Sequence, residues 1–277
     1  MKFKLKIYFY FWVLMSGLLN CSQCVHGQGS ERESEKNREI QYCQIAILAI
    51  GPKPPRRFSE FPEESASVLL PPRAGEIPPK RLYLKNMSID ESEQVQLAIN
   101  VSFNNPPSFI TIPANKTYQL YREKSTIPEV KDRAKIPHYL TIDPLEPGSR
   151  SLIILLPSSS SPNRWKSEPK QKVVGLTSSA FTNKRLTLMN FSRRTIKSKY
   201  HEAQTLISSG ERVFYSEDPK LDLHRISAHY GRENKVIIDT ALKLNQSDLM
   251  TLYIFYDANP NTNDGRSVGL LRVRIRQ

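Results

Sequence analysis

Residues 81–88 read RLYLKNMS, and residues 185–192 read RLTLMNFS. Arg, two Leu, Asn and Ser recur in one register. Leu82 and Leu84, like Leu186 and Leu188, stand two apart, which is the period of a half-buried strand. The recurrence predicts one β-unit used twice. Each copy is expected to open its unit, with Asn86 and Asn190 at the turn that follows.

Further echoes keep the same order outward from this pair. Ile142-Asp143 matches Ile238-Asp239, and Val174-Gly175-Leu176 matches Val268-Gly269-Leu270. The offsets drift, as they do when loops change length and strands persist. Short β-branched and aromatic runs follow each copy. In the first unit they cover 95–103, 109–121, 138–143, 151–156 and 172–176. In the second they cover 197–202, 205–215, 235–239, 251–256 and 267–275. Asn104-Asn105-Pro106-Pro107, Pro147-Gly148, Ser209-Gly210 and Asp264-Gly265 are the turns between them. Many short strands at near-regular spacing predict an all-β chain of two tandem antiparallel β-sandwiches, 81–180 and 181–277. Residues 127–135 and 218–227 are each read as able to hold one helical turn in a loop.

The arrangement over residues 81–277 resembles the tandem immunoglobulin-like sandwiches of exported bacterial proteins, in outline including two-domain periplasmic chaperones. That resemblance implies the fold and nothing about a site, since no chaperone motif is matched.

Ahead of the repeat the chain changes character. Lys2, Lys4 and Lys6 precede an uncharged apolar run, residues 7–19 (IYFYFWVLMSGLL). About 13 residues suit a signal h-region and fall short of the ~20 that span a bilayer. Val25 and Gly27 supply small residues for cleavage after Gly27, so 1–27 reads as a signal peptide. The alternative is a lipoprotein box, Leu18-Leu19-Asn20-Cys21, with Cys21 lipidated and the protein tethered to a membrane. Residues 28–39 form a charged, flexible leader. Residues 40–80 hold an Ile-rich strand, 40–50, and then a connector whose Pro52, Pro54, Pro55, Pro62, Pro71, Pro72, Pro78 and Pro79 exclude helix interiors and central strands. Residues 67–70 are a short edge strand. Cleavage after Gly27 leaves Cys43 as the single thiol, a small buried hydrophobe on that first strand. In the lipoprotein case Cys24 and Cys43 could pair.

The chain is basic, with 40 Lys and Arg against 27 Asp and Glu. The surplus falls on the two repeated units. Export makes nucleic acid a poor partner, and favours an envelope protein or an anionic surface polymer. A membrane enters only through Cys21.

Residues 271–276 (LRVRIR) are the sharpest pattern. Alternation sets Leu271, Val273 and Ile275 on one face and Arg272, Arg274 and Arg276 on the other. The Arg face is the candidate ligand surface, reading carboxylates or phosphates. Its competing role is to guard an edge strand. Only the second unit ends this way, so specific function is expected there.

Other motifs are weaker. Asp257, Asn259, Asn261, Asn263 and Asp264 put oxygen donors at alternating positions, as a calcium loop would. Thr262 stands where an EF-hand needs Gly, and Val268 where it needs Glu. A hairpin loop is the better reading. Asp222, His224 and His229 lie close in sequence, but the two His fall on opposite faces of a strand. His138 and His201 stand alone, so no metal is assigned. Trp165, between Arg164 and Lys166, is expected to be partly buried in a loop, with sugar or lipid contact as the alternative. Asn-x-Ser/Thr occurs at Asn86, Asn100, Asn115, Asn190 and Asn245. No nucleophile elbow, phosphate loop or paired-carboxylate site is present, so no catalytic residue and no cofactor are assigned. The expected role is non-catalytic: a structural or protein-interaction part in the envelope or secreted space. The alternatives are a polyanion- or glycan-binding module and an enzyme with an unrecognised site.

Overall fold

The computed structural model describes residues 40–59, 68–86, 96–123, 138–158, 163–177, 184–216, 220–244, 249–258 and 268–276. Every regular element among them is a strand. The signal peptide, the lipoprotein alternative at Cys21, the 28–39 leader and the 127–135 segment lie outside the described residues.

Ten strands precede residue 178: β1 (Tyr42–Ala49), β2 (Arg57–Ser59), β3 (Val68–Leu70), β4 (Arg81–Asn86), β5 (Gln96–Phe103), β6 (Ile110–Pro113), β7 (Tyr118–Tyr121), β8 (Leu140–Ile142), β9 (Arg150–Leu156) and β10 (Lys170–Gly175). Eight follow: β11 (Lys184–Asn190), β12 (Ile196–Tyr200), β13 (Ala203–Ile207), β14 (Arg212–Ser216), β15 (His224–Tyr230), β16 (Lys235–Leu242), β17 (Leu249–Asp257) and β18 (Val268–Arg276). Most strands lie where the alternating runs place them. Two exceptions are β2, inside the proline-rich connector where no strand was read, and β15, whose residues 224–227 fall where a helical turn was expected. Its cross-strand bonds to β12 and β16 hold those residues extended.

The pairing reveals the repeat. In the second half two sheets run β14-β11-β17-β18 and β13-β12-β15-β16. In the first half β6-β1-β9-β10 and β5-β4-β7-β8 follow the same chain order. Each link has the same sense as its counterpart. β1 is parallel to β9 as β11 is to β17, β1 antiparallel to β6 as β11 to β14, and β9 antiparallel to β10 as β17 to β18. The hairpin-type links of the second sheets correspond likewise.

Three sequence expectations change as a result. RLYLKN is β4, whose counterpart is β12 (IKSKY). RLTLMN is β11, whose counterpart is β1 (YCQIAILA). The opening echo therefore joins strands that do not correspond, whereas the two lesser echoes fall on corresponding strands, β8 with β16 and β10 with β18. Strand pairing also draws β1 into the first unit, between β9 and β6, so the division expected at residue 81 does not follow the sheets. Finally, the sheets are not purely antiparallel. β1 is parallel to β9 and, over Ile47–Ala49, to β5, and β11 is parallel to β17. The β5 link is peculiar to the first half. There β5 pairs with β4 through Asn100 and then crosses to β1 from Val101, which joins the two sheets into one.

Burial explains why β1, β9 and β17 read as near-continuous apolar runs. Ile45, Ile47 and Ala49 face the core of the first unit, with Leu82, Leu84, Leu120, Leu140, Ile153 and Trp165. Ala46, Leu48 and Ile50 face the other way. With Leu152, Ile154, Val174 and Leu176 they meet Met189, Met250, Leu252, Ile254, Leu271, Val273 and Ile275 of the second half. The second unit has its own core around Leu188, Ile196, Ile226, Tyr253 and Phe255. Sheets covered on both faces lose the polar alternation of a half-exposed strand. Residues 40–277 accordingly form one compact body with three cores.

One feature has no counterpart in the second half. The link from β1 to β4 carries the ribbon β2–β3, with Phe58 opposite Leu69. Phe58, Val68, Leu69 and Leu70 are all exposed. A two-strand ribbon is marginal by itself, and this one is tied at its base. Arg57 pairs with Glu76 at 3.0 Å and also donates to the Pro71 carbonyl, while the Arg73 amide donates to Glu76 Oε2 at 2.6 Å. Glu76 is buried beneath these contacts.

Candidate functional site

β18 lies at the edge of its sheet, paired with β17 alone through nine residues. Leu271, Val273 and Ile275 enter the core shared by the two units, as the alternation requires. Arg272 and Arg274 are exposed on the opposite face. The backbone of Arg276 continues the strand, and its side chain lies outside the described residues. The Arg272 guanidinium sits 5.8 Å from the centre of the Tyr253 ring. Burial pushes the Tyr253 hydroxyl pKa up, and the positive charges of Arg272 and Arg274 partly oppose that rise. The face thus couples two fixed cations to an aromatic wall. On an edge strand such a face discourages further strand addition and presents guanidinium forks to an anion.

Asp257 ends β17, and its carboxylate is engaged. The Arg193 amide donates to Oδ1 at 3.0 Å, and Arg193 Nε lies 3.3 Å from Oδ2. Of the other calcium candidates, Asn259, Asn261 and Asp264 lie outside the described residues. No group of three His, Cys, Asp or Glu among the described residues is placed to hold a metal.

Trp165 is fully buried, which corrects the expectation of a partly buried loop residue and removes it from contact with sugar or lipid. It meets Phe103 edge to face at 6.1 Å. Its carbonyl accepts from the Arg122 guanidinium and from the Tyr139 hydroxyl. Its indole Nε1 has no hydrogen-bond partner among the described residues. Packing is then the main contribution of the side chain. Trp165→Phe is expected to cost clearly less than Trp165→Ala, for which about 3–5 kcal/mol is usual. Equal losses in urea unfolding would contradict this. Cys43 is buried on β1, and burial pushes its thiol pKa up, so it is a poor nucleophile.

His201, which stands alone in sequence, is a neighbour of His224 in the fold. His224 opens β15 and is fully buried. His201 occupies the β12–β13 turn with φ of 51°. His201 Nε2 lies 3.2 Å from His224 Nδ1, and the Tyr200 hydroxyl lies 2.7 Å from the same nitrogen. Tyr200 Oη also lies 3.0 Å from the Ser216 carbonyl, which can only accept. The hydroxyl proton therefore goes to Ser216, and Oη accepts from His224 Nδ1–H. Tyr200 stacks on Tyr215 at 4.5 Å, and Tyr215 shares a 2.9 Å hydrogen bond with Ser198. This set closes one end of the second unit. The sequence signal for it is faint: Tyr200 pairs with Ile226, which brings His224 near the turn only once that register is known.

Asn190 is likewise structural. It is fully buried, donating to the carbonyls of Arg194 (2.7 Å) and Ile207 (2.9 Å) and accepting from the amide and hydroxyl of Ser192 (2.9 and 2.7 Å). Asn100 and Asn115 are exposed. Of Asn86 only the backbone is described, and Asn245 lies outside the described residues.

Across the outer face of β12, β13 and β15 runs an open groove of about 530 Å³ bordered by Lys197, Lys199 and His229. A second groove, about 330 Å³, opens between Gly51, Pro157, Lys170, Tyr256 and Asp257. No protein-family model matches the chain, and no curated protein matches it.

Proposed function

We propose that this chain is an exported, non-catalytic β-protein of the envelope or secreted space that acts by binding a protein partner. The carrying observation is the exposed apolar ribbon β2–β3 on an otherwise well-packed body. A repeat counterpart without the ribbon isolates it as an addition, and the buried Glu76 anchors it. Exposed clustered apolar side chains of this kind mark interaction surfaces. Two four-stranded sheets around the core of the second unit, and the same pairing order in the first unit with β5 joining the two, suit the immunoglobulin-like reading, and the leader pattern supports export.

Two measurements test it. The protein recovered from the exporting cell should begin at Gln28 by mass spectrometry, or at a lipid-modified Cys21 on the alternative route. A chain retained with Met1 in place sinks export. A photo-crosslinker at Leu69 should capture one stoichiometric polypeptide, and Phe58→Ser with Leu69→Ser should abolish the capture. Capture unchanged by these substitutions sinks the ribbon as the contact.

A second reading is a polyanion-binding module. It is favoured by the exposed Arg272 and Arg274 and by the lysine-lined groove of the same unit. Such binding should weaken steeply with salt.

A further inference from the structure

We propose that the groove on the outer face of β12, β13 and β15 is a binding site for an acidic polysaccharide, with Lys197 and Lys199 receiving its oxyanion groups. The proposal rests on the polyanion reading above and moves its centre away from the Arg face.

The placement follows from register. Ile196, Ser198 and Tyr200 point into the unit, so Lys197 and Lys199 point out. Lys197 stands opposite Leu206 on β13 and His229 on β15. Lys199 stands opposite Gln204 and Ser227. Two rows result, Leu206–Lys197–His229 and Gln204–Lys199–Ser227, with the lysines about 7 Å apart along the strand. No carboxylate is among the groove's lining residues.

The charges are lightly held. Lys197 Nζ bonds to the neutral Asn234 side-chain oxygen at 3.2 Å. Lys199 lies 3.1 Å from Glu202, whose side chain is 95% exposed, a pairing that water screens strongly. His229 Nδ1 is shielded from water and has no hydrogen-bond partner among the described residues. Its ring lines the groove wall, with that nitrogen turned away from the opening.

The neighbours define the ligand class. An ammonium pair suits carboxylate or sulfate oxygens. The Gln204 amide and Ser227 hydroxyl suit ring hydroxyls, being both donors and acceptors. Val236, opposite His229 on β16, extends the first row as Asp239, opposite Ser227, extends the second. Leu206 and Val236 are 63% and 59% exposed at the ends of the first. They offer apolar contact to the carbon face of a sugar ring. A saccharide carrying anionic groups satisfies all three features. The anion can be a uronate carboxylate or a sulfate ester, and the two sources are separable by experiment.

The test uses the full exported chain with two fluorescent-labelled oligosaccharides, one sulfated and one a polyuronate, and an uncharged glucan as control. Anisotropy titrations at about 0.15 M salt, where the Debye length is about 8 Å, give affinities. Lys197→Ser with Lys199→Ser should weaken binding of at least one acidic oligosaccharide by about ten-fold or more. Arg272→Ser with Arg274→Ser should change it less than about two-fold, because distant exposed charges are screened. Whichever acidic ligand responds identifies the anion source. Equal loss in both double variants indicates bulk charge and overturns the site. Loss in the arginine variant alone overturns the site and keeps the polyanion reading. No binding of either acidic ligand by the unaltered chain overturns both. Circular dichroism of the lysine variant checks that the exposed substitutions leave the fold intact.

Discussion

Truncating Ile154 or Ile254 to Ala is expected to lower the stability of the whole chain by about 2–5 kcal/mol each. Both side chains are fully buried in the core shared by the units. Ile154 comes from β9 of the first unit and Ile254 from β17 of the second. Neither faces its own unit's core. If the shared core holds the chain as one body, each truncation should shift a single unfolding transition seen by every probe. Urea unfolding followed by far-ultraviolet dichroism and by tryptophan fluorescence checks this, because Trp165 reports from the first unit. Two transitions, with Ile254→Ala moving only one, would show that the units unfold separately. A related result is expected for residues 40–183 expressed alone. That piece would bare Ala46, Leu48, Ile50, Leu152, Ile154, Val174 and Leu176 on one sheet face, and should aggregate.

Asn190→Ala should cost about 3 kcal/mol or more. The substitution leaves the Ile207 carbonyl and the Ser192 amide without this partner in a buried site, while the half-buried Arg194 carbonyl keeps the Ser192 hydroxyl. Each stranded buried group costs about 1–3 kcal/mol. The loss is greater than for one hydrogen bond because the side chain ties the β11–β12 corner to the end of β13. The same residue's backbone holds the next turn, accepting from the Gly210 amide at 2.6 Å and donating to the Glu211 carbonyl at 3.0 Å. Ser192→Ala removes only one side of the arrangement and should cost about 1 kcal/mol. Chemical denaturation of the two variants decides the order. An Asn190→Ala loss no larger than that of Ser192→Ala would mean that water or a shifted loop satisfies the freed groups.

The Asn-x-Ser pattern at 190–192 looks like a modification signal and is a corner brace. The reason is physical: Asn carries two donors and an acceptor that can stand in for missing strand partners where the chain turns. The same chemistry serves surface loops, so composition does not separate the uses. Burial does. The Arg face at β18 was legible down to the alternation of Leu271, Val273 and Ile275, because a period of two is set by strand geometry. What the apolar side would face was not legible, and it proved to be the other unit. The lysine groove was missed because its residues come from three strands. Lys197 and Lys199 are visible as a polar strand, whereas their meeting with His229, Ser227 and Gln204 depends on cross-strand register.

The sequence by itself determined the all-β character, most strand positions, and which side of β18 is apolar. These depend on local properties: β-branched and aromatic content, alternation, and turn residues that break the runs. The tertiary structure decided which strand lies beside which. Sheet bonds join backbone groups that every residue except Pro carries in full, so side-chain identity marks partners only weakly. RLYLKN and RLTLMN therefore look alike while occupying non-corresponding strands, and YCQIAILA and KRLTLMN correspond while looking different. Their difference has a cause in packing. β1 and β11 are central strands with cores on both sides, and those faces constrain only apolar volume, which many sequences can supply.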